Sequence, residues 1–489
     1  MTNLLVIDVG TTGLRAARVN DALDIVDIEY RPCPPENPAP GLVEFDPAAM
    51  ASTLIDAANQ VIERSPTSID AVGVTTQRAS AMIWDRSTGE PIGHGLGWQD
   101  LRTVGDCLIA NAQHGWTLAP NQTATKLSWL LANTADLEGR DICAGTVDSW
   151  VVWSLSKGAL HVSDQGNSSA TMTGLRRVDG SGWNEEVLDA LSIPASILPT
   201  VVDSSAVLGP ATALTGAPPI AAVLGDQSAS TIGQGCVRPG RVKITFGSGG
   251  MLDMCSDGSA PATGRRNPGG TYPLVLWTID DAPQWGVEGI MLSAGTNVEW
   301  LRDDLGIIDS PAASHDVAAM CGDTDGVLYV PALLGLGTPH WDYGARGTLL
   351  GVTRGTERTH VVRAVLEGVA HRGADLFEAA TTDTGVSAHE IRIDGGMSQN
   401  PTFVQALADA VDRPVEVSPV VEATTRGAAF MAGRAIGTWS SISDADELWR
   451  PATRVEPSPT SATATTRARW ADAIERSREW HPDLSALDM

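Results

Sequence analysis

Lysine is nearly missing from this 489-residue chain: it occurs only at Lys126, Lys157 and Lys243, and arginine supplies the other positive charge. We read that scarcity mainly as compositional bias. Positive charge of either kind is outweighed, with 33 Lys and Arg against 59 Asp and Glu and a formal net charge of −26. Such a field repels nucleic acid and anionic membrane, so an anionic ligand needs a pocket with its own donors. Cysteine is sparse and scattered, at Cys33, Cys107, Cys143, Cys236, Cys255 and Cys321, with no CxxC pair. That spacing argues against a zinc site or a disulfide framework and leaves buried thiols in a reducing compartment. No apolar run approaches the ~20 residues of a membrane span. The opening "MTNLLVIDVG" has no basic n-region and carries Asp8, so it reads as a strand and not as a signal peptide. These absences predict a cytoplasmic protein with no nucleic-acid and no membrane partner.

What is present suits a large globular protein. Hydrophobic residues are 43% and charged residues 19% of the chain, enough to bury a core. At roughly 150 residues per domain the length predicts about three units, or two large ones. "LLVIDV" followed by "GTTG" and "LRAARVN" predicts an opening hairpin, Leu4–Val9 and Leu14–Val19. Asp46-Pro47 marks a helix start, with Met50, Leu54, Ala58 and Val61 at helical spacing behind it. Asp70–Thr76 and Pro219–Gln227 read as buried strands. "GRVKITFGSGG" and "IRIDGGMSQNP" each read as a strand with a glycine-rich end. A long helix runs through "HVVRAVLEGVAHRGADLFEAA", and a second begins at Asn400-Pro401. Pro457–Thr466 is expected to be a loop, followed by a helix near Ala468–Trp480 that packs back through Trp470, Ile474 and Trp480. Strand-then-glycine turns recur early in each half. This predicts two related α/β lobes joined near Gly235–Gly240, with boundaries at 1–238 and 239–489.

Glycine-rich turns after strands admit phosphate, because the backbone comes close and its N–H groups point at the oxygens. Thr11 and Thr12 add hydroxyl donors in the first turn. The GxxxxGK[ST] loop is absent, and neither "GTTG" nor "GSGG" fits GxGxxG. Three such turns spread over both halves suit a nucleotide clasped between lobes. Asp8, just before the first turn, either holds a hydrated divalent cation or caps the turn. Asp226 ends an apolar strand before "QSASTIGQG"; it either caps a helix or serves as a general base in phosphoryl transfer.

Motifs in order along the chain then resemble a known family. "IDVGTTGLRA", "TTQRASAMIWD", "GWQDLRT", "TKLSWLL", "GDQSAS", "FGSGG", "AGTNVEWLRD", "GLGTPHWDYGARGTLLGVTRG" and "IDGGMSQNP" resemble the FGGY carbohydrate kinases, most closely the glycerol kinase branch, from about Leu4 to Trp480. The resemblance implies two actin-like ATPase lobes with a ribonuclease-H-like core around a central cleft. It implies ATP and Mg2+ as cofactors and a small polyol or sugar as acceptor. Asp8 would orient magnesium through water, and Thr11, Thr12, Arg15 and Ser248 would meet the phosphates. Gly295, Glu299, Gly396 and Asn400 would line the adenosine pocket, although Glu299 stands where the branch has glutamine and Asn400 precedes a helix-starting proline. Asp226 would be the base, and Gln227, Arg78 and Trp98 substrate ligands. Lobe closure over the substrate and a homodimer are further implications of the resemblance.

The departures cluster on the substrate wall. A glutamate of the glycerol kinase branch that bonds glycerol is replaced by Ala79, a tyrosine by Asn121, and an aromatic residue by Met251. Losing a charged hydrogen bond predicts glycerol recognition weaker by about 10- to 100-fold. The expected acceptor is therefore a polyol or ketose larger than glycerol, with glycerol itself as the alternative. A non-catalytic sugar- or nucleotide-binding sensor of the actin-like type is the alternative of another class; retention of Asp8, Asp226 and both phosphate turns argues against it.

Overall fold

The computed structural model describes residues 2–258, 266–459 and 463–485. Strand β1 (Asn3–Val9) is buried throughout and turns back as β2 (Gly13–Asn20), the predicted hairpin; β3 (Ile25–Pro32) extends it. Helix α1 (Pro47–Glu63) starts at the expected Asp-Pro pair. The Asp46 carboxylate accepts from the Ala48 and Ala49 N–H groups, and Met50, Leu54, Ala58 and Val61 face the core. Strand β4 (Ala71–Thr76) lies parallel to β1. Helices α2 (Val104–His114) and α3 (Thr123–Asn133) belong to an excursion before the sheet resumes. Strands β5 (Ser205–Pro210) and β6 (Pro219–Gly225) complete the order β5-β6-β4-β1-β2-β3, and helix α4 (Asp226–Gly233) follows β6 without a loop.

The second half repeats the plan. Strands β7 (Arg241–Phe246) and β8 (Gly250–Cys255) form a hairpin across "GSG", then come β9 (Tyr272–Ile279) and β10 (Ala282–Met291). Helix α5 (Thr296–Asp303), long helix α6 (Arg358–Thr384), strand β11 (Glu390–Asp394) and helix α7 (Pro401–Val411) follow. Strand β12 (Val415–Val417), helix α8 (Ala423–Ala435), strand β13 (Thr453–Val455) and helix α9 (Thr463–Ser477) close the chain. The sheet order is β9-β10-β8-β7-β11-β12-β13. In both sheets the first hairpin strand pairs in parallel with a later strand, β1 with β4 and β7 with β11. Parallel register brings the carboxyl ends of these strands to one edge. Val9 pairs with Thr76 and Thr76 with Gly225; Thr245 pairs with Asp394. Both glycine turns and Asp226 thus emerge where α/β sheets place ligands.

The lobes share more than a hinge. Helix α8 comes from the second half yet packs on the first sheet: a Cβ on Gly73 would lie 2.5 Å from the Ala428 carbonyl. It also crosses α4 at bare backbone, where a Cβ on Gly427 would meet the Ala229 carbonyl.

Two readings near the end of the chain need correction. The loop expected over Pro457–Thr466 gives way to helix at Thr463, while residues 460–462 lie outside the described residues. Arg467, anchored to Asp375 and Glu378 on α6, holds that first turn against another helix despite its Thr-rich sequence. Trp470 and Ile474 are buried as expected, but Trp480 is 68% exposed. The helix stops at Ser477, and Glu479 takes a left-handed φ of 55° that turns the chain away from the core. All six cysteines are free thiols, four of them buried. Among the described residues no helix is long and apolar enough to cross a membrane.

Candidate active site

Asp8, near the end of β1, and Arg15, on β2, are cross-strand partners, which sets their side chains 3.5 Å apart. Arg15 also reaches Glu422 at 3.5 Å and lies over the Tyr30 ring. Asp8 is buried, and that burial pushes its carboxyl up to about 7; Arg15 opposes the shift while Asp226 and Glu422 add to it. Between these strands the Gly10–Gly13 turn leaves Thr11 half-buried and Thr12 exposed. The Trp98 indole N–H donates to Thr11 Oγ1 at 3.1 Å, so a residue assigned to substrate touches a residue assigned to phosphate.

Asp226 is the first residue of α4 and not its cap; Gly225 holds that position. Its Oδ1 accepts the Gln227 backbone N–H at 2.8 Å and lies 3.6 Å from Arg78 Nε. The side chain keeps 30% of its surface open, and burial of the rest raises its carboxyl, with the Arg78 charge opposing. Arg78 donates through Nη2 to Glu288 at 2.6 Å, while its buried Nη1 has no hydrogen-bond partner among the described residues.

A row of charges underlies the pair. Lys243 on β7, Asp253 on β8 and Glu288 on β10 are successive cross-strand neighbours, so their side chains share one face of the second sheet. Lys243 has no exposed surface; its Nζ donates to Asp253 at 2.9 Å and to Gln227 at 2.7 Å. An ammonium only donates, so the Gln227 atom facing it is the carbonyl oxygen, and the Gln227 amide N–H groups are left for another partner. Asp226, Arg78, Glu288, Asp253, Lys243 and Gln227 therefore form one connected polar group.

The three departures from the glycerol kinase pattern fall around this group unevenly. Ala79 is 8% exposed, with a left-handed φ of 61°, directly after Arg78. Asn121 is exposed in the loop before α3. Met251 is half-buried two residues before Asp253 on β8, hence on the same face, but makes no polar contact with the group.

Five more assigned residues, all from the second half of the chain, meet at one cavity. Ser248, Gly295, Glu299, Gly396 and Asn400 all line one cavity of about 570 Å³, with Phe246, Leu366 and Met397 as apolar walls. That volume suits a nucleotide-sized ligand. Gly295 and the "GSG" turn are stitched together, Gly295 N–H to the Gly247 carbonyl and Ala294 N–H to the Ser248 carbonyl. A Cβ on Gly295 would sit 2.6 Å from the Gly247 oxygen, so only glycine allows this approach. Asn400 caps α7 through the Phe403 N–H and donates to Ser314 Oγ, so its side chain is already committed. Glu299 is exposed at the rim.

Sequence reasoning missed Lys126, Lys243, Asp253 and Glu288. A signal existed: "VKITF", "MLDMC" and "GVEGIM" each carry one charge inside an apolar strand, which a core strand tolerates only when the charge is paired.

Comparison with known proteins fits this geometry. Residues 3–233 match the N-terminal domain, and residues 243–436 the C-terminal domain, of the FGGY family of carbohydrate kinases. A glycerol kinase of Deinococcus radiodurans is 38% identical over 99% of this chain and 99% of its own. One of Aromatoleum aromaticum is 39% identical over 98% of this chain and 99% of its own. The crystal structure of Plasmodium falciparum glycerol kinase with ADP superposes with a TM-score of 0.90 at 28% identity, covering 98% of each chain. The two lobes have the actin-like ATPase fold expected from the motifs. The chain belongs to the FGGY family of carbohydrate kinases and is a phosphotransferase with an alcohol group of a sugar or polyol as acceptor.

Proposed function

We propose that this protein transfers the terminal phosphoryl group of ATP to a hydroxyl of a small polyol or ketose, with Asp226 as general base. The observation that carries this reading is the partly open Asp226–Arg78 pair, joined to a buried polar group, in a chain that also holds a cavity of about 570 Å³ lined by the residues assigned to the nucleotide. Asp226 accepts the hydroxyl proton as the oxygen attacks; the Arg78 charge favours the ionised carboxylate against the burial that raises it, and Arg78 contacts the substrate. The Gln227 amide donates a second bond. Thr11, Thr12, Arg15 and Ser248 hold the phosphates, and Gly295, Glu299, Gly396 and Asn400 frame the adenosine, the last through backbone and packing. Phosphoryl transfer leaves the protein mainly positioning and charge neutralisation to supply, and these groups supply both.

Magnesium fits at Asp8. Among the described residues no cluster of three His, Cys, Asp or Glu side chains could hold a metal. A single buried carboxylate beside a phosphate turn suits an ion that keeps most of its ligands as water and phosphate. Bound there, magnesium would neutralise phosphate charge. Family membership leaves the non-catalytic sensor without support. We place the protein in the cytoplasm, take residues 1–238 and 239–489 as its lobes, and expect a homodimer.

We propose further that the acceptor is larger than glycerol, because Ala79 offers neither the carboxylate nor the volume that the glycerol kinase branch places beside the arginine. A second reading, glycerol itself, is favoured by the relatives, which are described as glycerol kinases. Steady-state kinetics on polyols and ketoses of three to six carbons separates the two. Glycerol giving the highest kcat/KM overturns the larger-acceptor reading.

A further inference from the structure

Of the three lysines, Lys157 is exposed and the other two have no exposed surface. Lys243 is neutralised by Asp253. Lys126, on α3, has no carboxylate at ion-pair distance among the described residues; its Nζ donates instead to three main-chain carbonyls, Ala79 at 2.7 Å, Gly97 at 3.1 Å and Asn121 at 3.2 Å. The three carbonyls belong to three separate segments: the turn after β4, the segment before α2, and the loop before α3. Each segment carries a residue assigned above to the acceptor wall, respectively Arg78 with Ala79, Trp98, and Asn121. The Ala79 carbonyl belongs to a left-handed residue, a conformation that persists only where its surroundings hold it. Three acceptors converging on a point match an ammonium; the planar fork of a guanidinium could not serve them together.

We propose that Lys126 is a positioning residue of the acceptor site: its ammonium ties three wall segments at one point and sets the spacing of Arg78, Trp98 and Asn121 across the pocket. The proposal rests on the reading of this cleft as a polyol or ketose kinase site. It gives a chemical reason for keeping lysine in a chain that uses arginine almost everywhere else.

The tie also responds to pH. Burial brings the ammonium down to about 7. The titratable groups acting on it are Asp100, itself bound by Arg102 and the Val43 N–H, and Cys107 on α2, whose thiol burial pushes up. Arg78, next to the Ala79 carbonyl, has its own charge met by Glu288 and Asp226. The neutral amine keeps two N–H groups and turns a lone pair on the third carbonyl, so one tie is lost as pH rises through that value.

The test measures KM for the acceptor and for ATP between pH 6 and 9 in wild type, Lys126→Met and Lys126→Arg. In wild type the acceptor KM is expected to rise about tenfold toward pH 9 while the ATP KM stays flat. Both variants should show a raised acceptor KM at every pH, without the further rise. A wild-type acceptor KM in either variant, or acceptor and ATP KM values rising together, overturns the proposal. Should neither variant fold, the wild-type profile decides, and a flat acceptor KM overturns it. Failure of the kinase reading looks different: wild type would then release no ADP in response to any acceptor.

Discussion

Ala79 and Arg78 sit side by side, one buried and small, the other buried and charged. If Ala79 removes a glycerol contact, restoring the carboxylate should restore glycerol. We expect A79E to raise kcat/KM for glycerol about tenfold and to lower it for longer acceptors; steady-state assays on both check this. Arg78 has a structural duty as well. Its charge is met by buried Glu288 at 2.6 Å, so Arg78→Met should cost about 3–5 kcal/mol in chemical denaturation by stranding that carboxylate. The double change R78M/E288L should recover most of the loss. Burial raises the Asp226 carboxyl. A base must be unprotonated, so activity is lost as pH falls through that raised value. The acid limb of the kcat/KM profile should therefore lie above the ordinary aspartate range of about 4. At saturating Mg2+ and ATP, which would hold Asp8 ionised, that limb should vanish in variants of Asp226 that retain residual turnover.

At the scale of elements, local signals read well where a turn or cap announces itself. The Asp46-Pro47 and Asn400-Pro401 helix starts and the opening hairpin needed only a few adjacent residues. The lining of the 570 Å³ cavity was legible for the same reason: Ser248, Gly295 and Gly396 lie in glycine turns at strand or helix ends. Lys243, Asp253 and Glu288 were not legible as a group, because only the register of β7, β8 and β10 brings them together. The end of the chain failed in the same way. Thr-rich sequence at 463–466 reads as loop until α6 offers carboxylates to Arg467, and Trp480 reads as core until the helix stops short of it. Helix α8 is plainly helical in "ATTRGAAFMAGRA", but nothing local says that it packs on the opposite lobe. Its crossing with α4 depends on Gly427, where a Cβ would press on the Ala229 carbonyl. Gly427→Ala should lower stability by about 1–3 kcal/mol or more, read as a fall in Tm.

For the whole molecule, the strand ends of two related sheets face one another across a cleft, with α8 of the second half seated on the first sheet. The chain is acidic, at −26 overall, so an anionic ligand depends on local donors, which the proposal above places at Arg15 and the glycine turns. Closure of such a cleft excludes water that would otherwise accept the phosphoryl group. The radius of gyration from solution scattering should therefore fall when acceptor and ADP are added together, and less with either alone. The account as a whole turns on Asp226. The most direct test compares acceptor-dependent ADP formation by wild type and D226N, with ATP affinity measured by calorimetry on the same preparations. We predict that D226N loses about 10²–10⁴-fold in kcat while ATP affinity stays within twofold. Equal turnover in the two proteins would contradict the assignment of the base and, with it, the mechanism built on this cleft.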